Sequence, residues 1–352
     1  MSLRPSAVPG LALGAVVVVL AGCGTSTPVD LPDAPEQPLS AVGRDFFPDS
    51  AVWTTPVSPE AAIDPRSAEY VARLAQLEPV VSVRESTVSV FVATADSPRF
   101  TVTPTAPNAS PESVLEHVPI PTHAVPDPAQ SGHLAVFDRT SRCVYELYGL
   151  RQDATGWLAD WANTTPADGE GVYPDGLSTR ASGLASTAGL IWPDELLSGT
   201  IPHALVFSYP FTRRGGPVPP ATRTNGTDAD PSALPIGAKL VLDPALDLGT
   251  LGLGPAELAI ATALQRYGMI LGDTSEGFQL FAVHARSFPA DPYMSTWGDV
   301  VWADISAIPF DRMQVIATGD QQPQYQGPPI ENRCTGAETG AAVPPTGQPA
   351  GG

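Results

Sequence analysis

The chain has 352 residues, with 40 prolines and 32 glycines, and a formal net charge of −19 at pH 7. A surface this acidic repels phosphate backbones and anionic headgroups, so nucleic acid and anionic lipid are excluded as partners. Of the three cysteines, Cys143 and Cys334 lie in no CxxC or CxxH context, which argues against a metal site.

The first element is a leader. Arg4 precedes an apolar run, Leu11–Leu20, that is too short to span a bilayer as a helix. Leu20-Ala21-Gly22-Cys23 then reads as a lipobox. The expectation is a lipoprotein signal over residues 1–22, removed on export, with Cys23 lipidated. Acyl chains on Cys23 anchor the chain stably at the outer face of the cytoplasmic membrane. Residues 23–45 are rich in Pro and small polar residues and read as an extended tether. On the oxidising side of the membrane the two remaining cysteines, Cys143 and Cys334, are expected to form a disulfide.

Between the tether and a Pro/Gly-rich tail, 321–352, expected to be partly disordered, stands a single β-rich domain, 46–320. About 275 residues suffice for one large β domain or two smaller ones. Asp64–Leu77 has helical apolar spacing, with Asp64 as N-cap and Pro65 at the first position. Val80–Ala93 and Arg99–Thr105 read as strands. The clearest hairpin is His133–Asp138, a turn at Arg139–Arg142, then Cys143–Tyr148. Trp157–Trp161 reads as the next strand and Asp168–Thr187 as loop. Trp192–Leu197 is a short helix with Pro193 in its first turn, and His203–Tyr209 and Lys239–Leu242 are strands. Lys239 is the only lysine of the chain, which reads as a genomic preference for arginine. Pro255–Tyr267 is the best helix, ended by Gly268. Met269–Leu271 and Phe278–Val283 flank a turn at Asp273–Gly277, and Trp302–Ile308 reads as a last short helix. Many short strands and few helices predict a mostly-β fold, a jelly-roll-like β-sandwich.

Hairpin parity singles out a candidate site. A four-residue turn pairs Asp138 with Cys143, Ala135 with Glu146 and His133 with Tyr148. Leu134, Val136, Tyr145 and Leu147 then face the core, and His133, Glu146 and Tyr148 share the other face. On a concave sheet these three would line a groove, joined by His203 from a neighbouring strand. A histidine, a carboxylate and a tyrosine can bind a glycan, or cleave it by acid/base chemistry. The alternative is that both histidines are structural. Trp157 and Trp161, of like parity, are candidates for stacking on a sugar, against core packing. Asp168, Glu170 and Asp175 lack the register of a calcium loop and read, like Asp228 and Asp230, as acidic surface. No nucleophile elbow, P-loop or dinucleotide fingerprint occurs, and the sequence requires neither metal nor cofactor.

Several stretches also carry a resemblance. They include Phe47-Pro48-Asp49 with Trp53, Gly132-His133-Leu134, Cys143–Tyr148, Arg180–Leu184, Pro193-Asp194-Glu195, Ile201–Leu205, Arg266–Ile270 with Asp273, and Pro309–Arg312. In this order the chain resembles a family of uncharacterised bacterial secreted proteins and lipoproteins. The resemblance implies no activity. Related chains often carry an Asn-Pro-Trp-Asn-like segment where this one has Ser50-Ala51-Val52-Trp53. The reading is a monomeric, membrane-anchored lipoprotein that binds an envelope or environmental glycan, with or without cleaving it. The rival is a non-catalytic structural or protein-interaction module of the envelope.

Overall fold

The structure, a computed structural model, describes residues 46–105, 115–129, 131–327 and 330–335. The expected signal peptide, the Cys23 anchor, the tether and the tail beyond Thr335 lie outside the described residues. No helix among the described residues is long and apolar enough to cross a membrane.

The strands are β1 (Pro79–Ser82), β2 (Ser89–Ala93), β3 (Arg99–Pro104), β4 (Leu115–Pro119), β5 (Leu134–Asp138), β6 (Cys143–Tyr148), β7 (Arg151–Asp153), β8 (Gly156–Ala159), β9 (Trp161–Pro166), β10 (Leu205–Tyr209), β11 (Lys239–Leu242), β12 (Met269–Thr274), β13 (Phe278–Phe281), β14 (Trp302–Asp304) and β15 (Met313–Val315). The α-helices are α1 (Ser67–Leu74), α2 (Pro193–Ser198), α3 (Pro255–Arg266) and α4 (Met294–Trp297). The chain is mostly β, as its composition predicts.

Three sheets form. The largest runs β14-β1-β13-β10-β12-β11-β15, and the two four-stranded sheets run β2-β5-β6-β9 and β4-β3-β8-β7. The two small sheets pack through one apolar cluster: Leu134, Val136, Tyr145 and Leu147 meet Val102, Leu115, Val118 and Ile120. This is sandwich packing, with inward residues alternating along each strand. Four pairings are parallel: β1 with β13, β10 with β12, β2 with β5, and β3 with β8. That is not the antiparallel pattern of a jelly roll, so only the coarser description is kept.

The hairpin register is the expected one, with Asp138 opposite Cys143 and Ala135 opposite Glu146. The open groove is not there. The second face of β5 and β6 is also core, where Ala135, Phe137 and Val144 pack with Phe46, Leu190, Trp192 and Val283. The sheet is therefore covered on both faces.

Other boundaries differ for local reasons. The first helix starts at Ser67, and Asp64 instead accepts from the Arg66 N–H at 2.8 Å in a turn before it. Val80–Ala93 splits into β1 and β2, which join different sheets. Trp302–Ile308 is not a helix: Trp302–Asp304 pairs with β1 as the edge strand β14. Helices α2 and α3 fall where expected, each with Pro at its first turn. Cys143 and Cys334 form a disulfide. Around it the Asn332 and Arg333 side chains donate to backbone carbonyls of Thr164, Ser141 and Arg142, which fastens the described part of the tail.

Candidate functional site

The candidate residues fall into three places. His133 and Tyr148 meet edge-on, with ring centroids 5.0 Å apart. Glu146 lies on the same face of β6 but is fully buried. His203 belongs elsewhere: it precedes β10 and pairs with Glu195 of α2. Trp157 and Trp161 are separated as well, because the strand breaks at Asp160. Trp157 packs edge-on against Phe100 under the sandwich, whereas Trp161 pairs with Tyr148 on β9. The expectation that they share one strand face is thus overturned.

Glu146 is held from every side. Its Oε1 accepts from the Ser186 N–H at 2.6 Å, and its Oε2 accepts from Asn163 Nδ2 at 3.1 Å and Thr179 Oγ1 at 3.4 Å. Burial pushes its pKa up, while the Asn163 and Ser186 hydrogen bonds and the charge of Arg180 oppose that rise. Arg180 is itself buried. Its guanidinium donates to the carbonyls of Ala185 at 3.0 Å, Ala188 at 2.8 Å and Ser186 at 2.9 Å. Burial lowers its pKa to about 10, with Glu146 and Asp273 supporting the charge. His133 is pushed down to about 4 by burial and by Arg180, so it is neutral at pH 7. A carboxylate, a guanidinium and a loop of carbonyls thus clamp residues 178–188 from below.

The outer end of that loop leads to a cavity of about 340 Å³. Thr187, Gly189 and Leu190 form one wall, and Phe46, Phe47, Asp49, Trp53 and Thr54 another. Trp192, Glu195, His203 and Tyr267 complete it. Gly189 has φ +70°, and a Cβ there would lie 2.5 Å from Val206 N, so the wall packs against β10 only as glycine. Phe47 sits at φ 64°, a left-handed conformation that costs a bulky residue free energy and must be held by its surroundings. Its N–H donates to Ala167 O at 2.8 Å, and its ring lies against Trp53 with centroids 6.4 Å apart.

At the base of α2, Glu195 reaches back to accept from the Trp192 N–H at 3.0 Å, capping the helix. The same carboxylate faces His203 Nε2 at 3.1 and 3.2 Å, and His203 Nδ1 lies 2.9 Å from Ala204 O. Each ring nitrogen faces an acceptor, an arrangement that favours the doubly protonated ring. Burial acts against that charge, but Glu195 outweighs it and the pKa is raised.

Sequence reasoning missed Glu195, Arg180 and the aromatic wall. Glu195, as the third residue of a Pro-started helix, carried the signal of a capping glutamate. Arg180 sat in a segment that reads only as loop. Asp175, taken for solvated surface, is buried and accepts from the Leu177 and Ile330 amides. Among the described residues no three His, Cys, Asp or Glu side chains are grouped to hold a metal ion. Compared with family models, with curated proteins and with solved structures, the chain matches none of them.

Proposed function

We propose that this chain is an exported lipoprotein, anchored by lipid on Cys23, whose β-rich domain binds a saccharide in the Phe47–Trp53–His203 pocket without cleaving it. The observation that carries the reading is the makeup of that pocket. The part-exposed Phe47 ring lines it, backed by the largely buried rings of Phe46, Trp53, Trp192 and Tyr267, beside the Asp49 carboxylate and the Thr54 and Thr187 hydroxyls. Rings that cover the apolar face of a sugar, with a few polar groups to fix its hydroxyls, are what such a ligand requires. The volume is at the small end of ligand pockets, suited to one or two sugar rings.

The case against cleavage is chemical. Glycoside hydrolysis needs a carboxylic acid whose pKa is raised so that it holds a proton to give. Among the described residues the carboxyls raised by burial are Asp127, Glu146 and Asp273. None of them lines the pocket. Glu195 does line it, but its carboxylate is already engaged by His203 Nε2 and by the Trp192 N–H, and His203 is engaged in turn by Glu195 and the Ala204 carbonyl.

The test is a saccharide array followed by calorimetric titration of the hits, with product analysis by chromatography. Binding without products is expected, weakened ~tenfold, or about 1.4 kcal/mol, in Asp49→Asn. Failure of every saccharide to bind sinks the binding claim, and any cleavage product sinks the non-catalytic one. For the anchor, Cys23→Ser should abolish palmitate labelling and release the protein from the membrane fraction. Continued labelling would overturn it.

A further inference from the structure

The segment that supplies Phe47 and Trp53 to the pocket also borders a second cleft, of about 520 Å³. Val52, Thr55, Pro56, Glu170 and Ile316 are among its walls, and Lys239 enters it from the start of β11. The lysine stem passes over Gly268, where an added Cβ would lie 3.6 Å from Lys239 Cε. Its Nζ has one contact, to Val52 O at 3.4 Å, which is long for a hydrogen bond. Among the described residues no carboxylate lies within ion-pairing distance of it. In this chain of net charge −19, arginines 66, 73, 84, 99, 151, 312 and 333 pair with carboxylates, and Lys239 does not. Lys239 is half-buried without gaining a counter-charge, and that burial lowers its pKa to about 8. A free amine is therefore present at neutral to mildly alkaline pH, beside open space.

We propose that Lys239 is a reactive amine at the edge of this cleft, a covalent modification site for small aldehydes. The neutral Nζ attacks the carbonyl carbon, and an N–C bond forms as the C=O π pair moves to oxygen. Proton transfer from nitrogen to oxygen through water gives the carbinolamine. Loss of the hydroxyl as water leaves the imine. Amine and aldehyde become imine and water, so no oxidant or reductant is needed. Desolvated lysines are the usual amines for this chemistry. The inference does not rest on saccharide binding, because Lys239 does not line the aromatic pocket.

The test uses the full-length protein with glycolaldehyde, trapped by cyanoborohydride, which delivers hydride to the imine carbon and fixes the adduct as a secondary amine. Peptide mapping separates Lys239 from the chain's α-amino group. The adduct should form on Lys239 with a half-maximal rate near pH 8. At pH 7.5 it should form ~tenfold or more faster than on Nα-acetyl-lysine amide, given the larger share of free amine. Lys239→Arg should remove the adduct. Should that variant fail to fold, the wild type alone decides, by comparing native with urea-unfolded protein. Faster labelling of the native state supports the proposal. Labelling that is slower in the native state, or equal to the free amine, overturns it and leaves Lys239 as a stem that holds Val52.

Discussion

Glu146, coupled to Arg180 through charge without a direct ion pair, and Glu195, in contact with His203, use similar side chains and end in opposite situations. Glu146 and Arg180 are sealed between the hairpin sheet and the 178–188 loop, the arginine spent on backbone carbonyls and the carboxylate on the Ser186 amide and the Asn163 and Thr179 side chains. Glu195 and His203 stand at the wall of a cavity. The difference comes from what lies over each element. The second face of β6 is covered by Phe46, Leu190 and Trp192. The start of α2 and the approach to β10 lie where the chain bends between sheets and leaves space. A carboxylate beside a cation is a site only when the layer above it is missing.

The comparison is broken most severely by removing the buried cation. Arg180→Leu leaves Glu146 and Asp273 without their counter-charge and three carbonyls without a donor. Breaking a buried pair from one side costs ~3–5 kcal/mol, so urea unfolding should show a loss of that size. A loss under ~1 kcal/mol would mean that the clamp is not what orders the 178–188 loop.

The histidines of the two regions should titrate with opposite sign. His133 has a folded pKa of about 4 against ~6.5 when unfolded. The unfolded state binds its proton first, so stability falls as pH drops from ~6.5 towards 4, by up to about 3 kcal/mol. His284, also lowered to about 4 by burial, adds a similar slope. His133→Phe should therefore reduce the loss between pH 6.5 and 4 in melts followed by circular dichroism. His203 runs the other way. Its folded pKa is raised, so its contribution is complete below the unfolded pKa and disappears as pH rises through the folded one. His203→Gln should cost about 1–2 kcal/mol at pH 6 and less at pH 9. An equal cost at both pH values would show that the ring is held neutral.

This contrast marks how far the sequence could be read. The hairpin was legible because period-2 alternation and a four-residue turn fix register locally. The register put His133, Glu146 and Tyr148 on one face correctly. What covers that face comes from Phe46 and the 187–192 segment, and the latter is read as loop and short helix from its composition. Nothing in the local pattern says that such a segment lies over a sheet nearly fifty residues earlier in sequence. Trp157 and Trp161 failed for a smaller reason. Spacing of four implies one face only if the strand is continuous, and it breaks at Asp160. Trp302–Ile308 was taken for a helix because a three-residue edge strand has too few positions to show a period. The aromatic pocket was the least legible feature, since its walls come from residues 46–54, 187–203 and 267 and form only when the sheets pack.

The smallest effect separates the pocket from the scaffold beneath it. Gly171 has φ +69°, and a Cβ there would lie 2.6 Å from Phe47 Cε1 and 2.8 Å from Trp53 Nε1. Gly199 has nearly the same φ, +71°, and a Cβ there meets nothing within 4 Å. Alanine at either position carries the backbone cost of a left-handed residue, ~1 kcal/mol. Only Gly171→Ala must also push the Phe47 and Trp53 rings aside. If those rings form the binding wall, Gly171→Ala should melt below Gly199→Ala by the added cost of overpacking, and saccharide affinity should fall in Gly171→Ala alone. Equal affinity in both would mean that the rings are core and that the ligand site lies elsewhere, because a wall that can be displaced without consequence is not recognising anything.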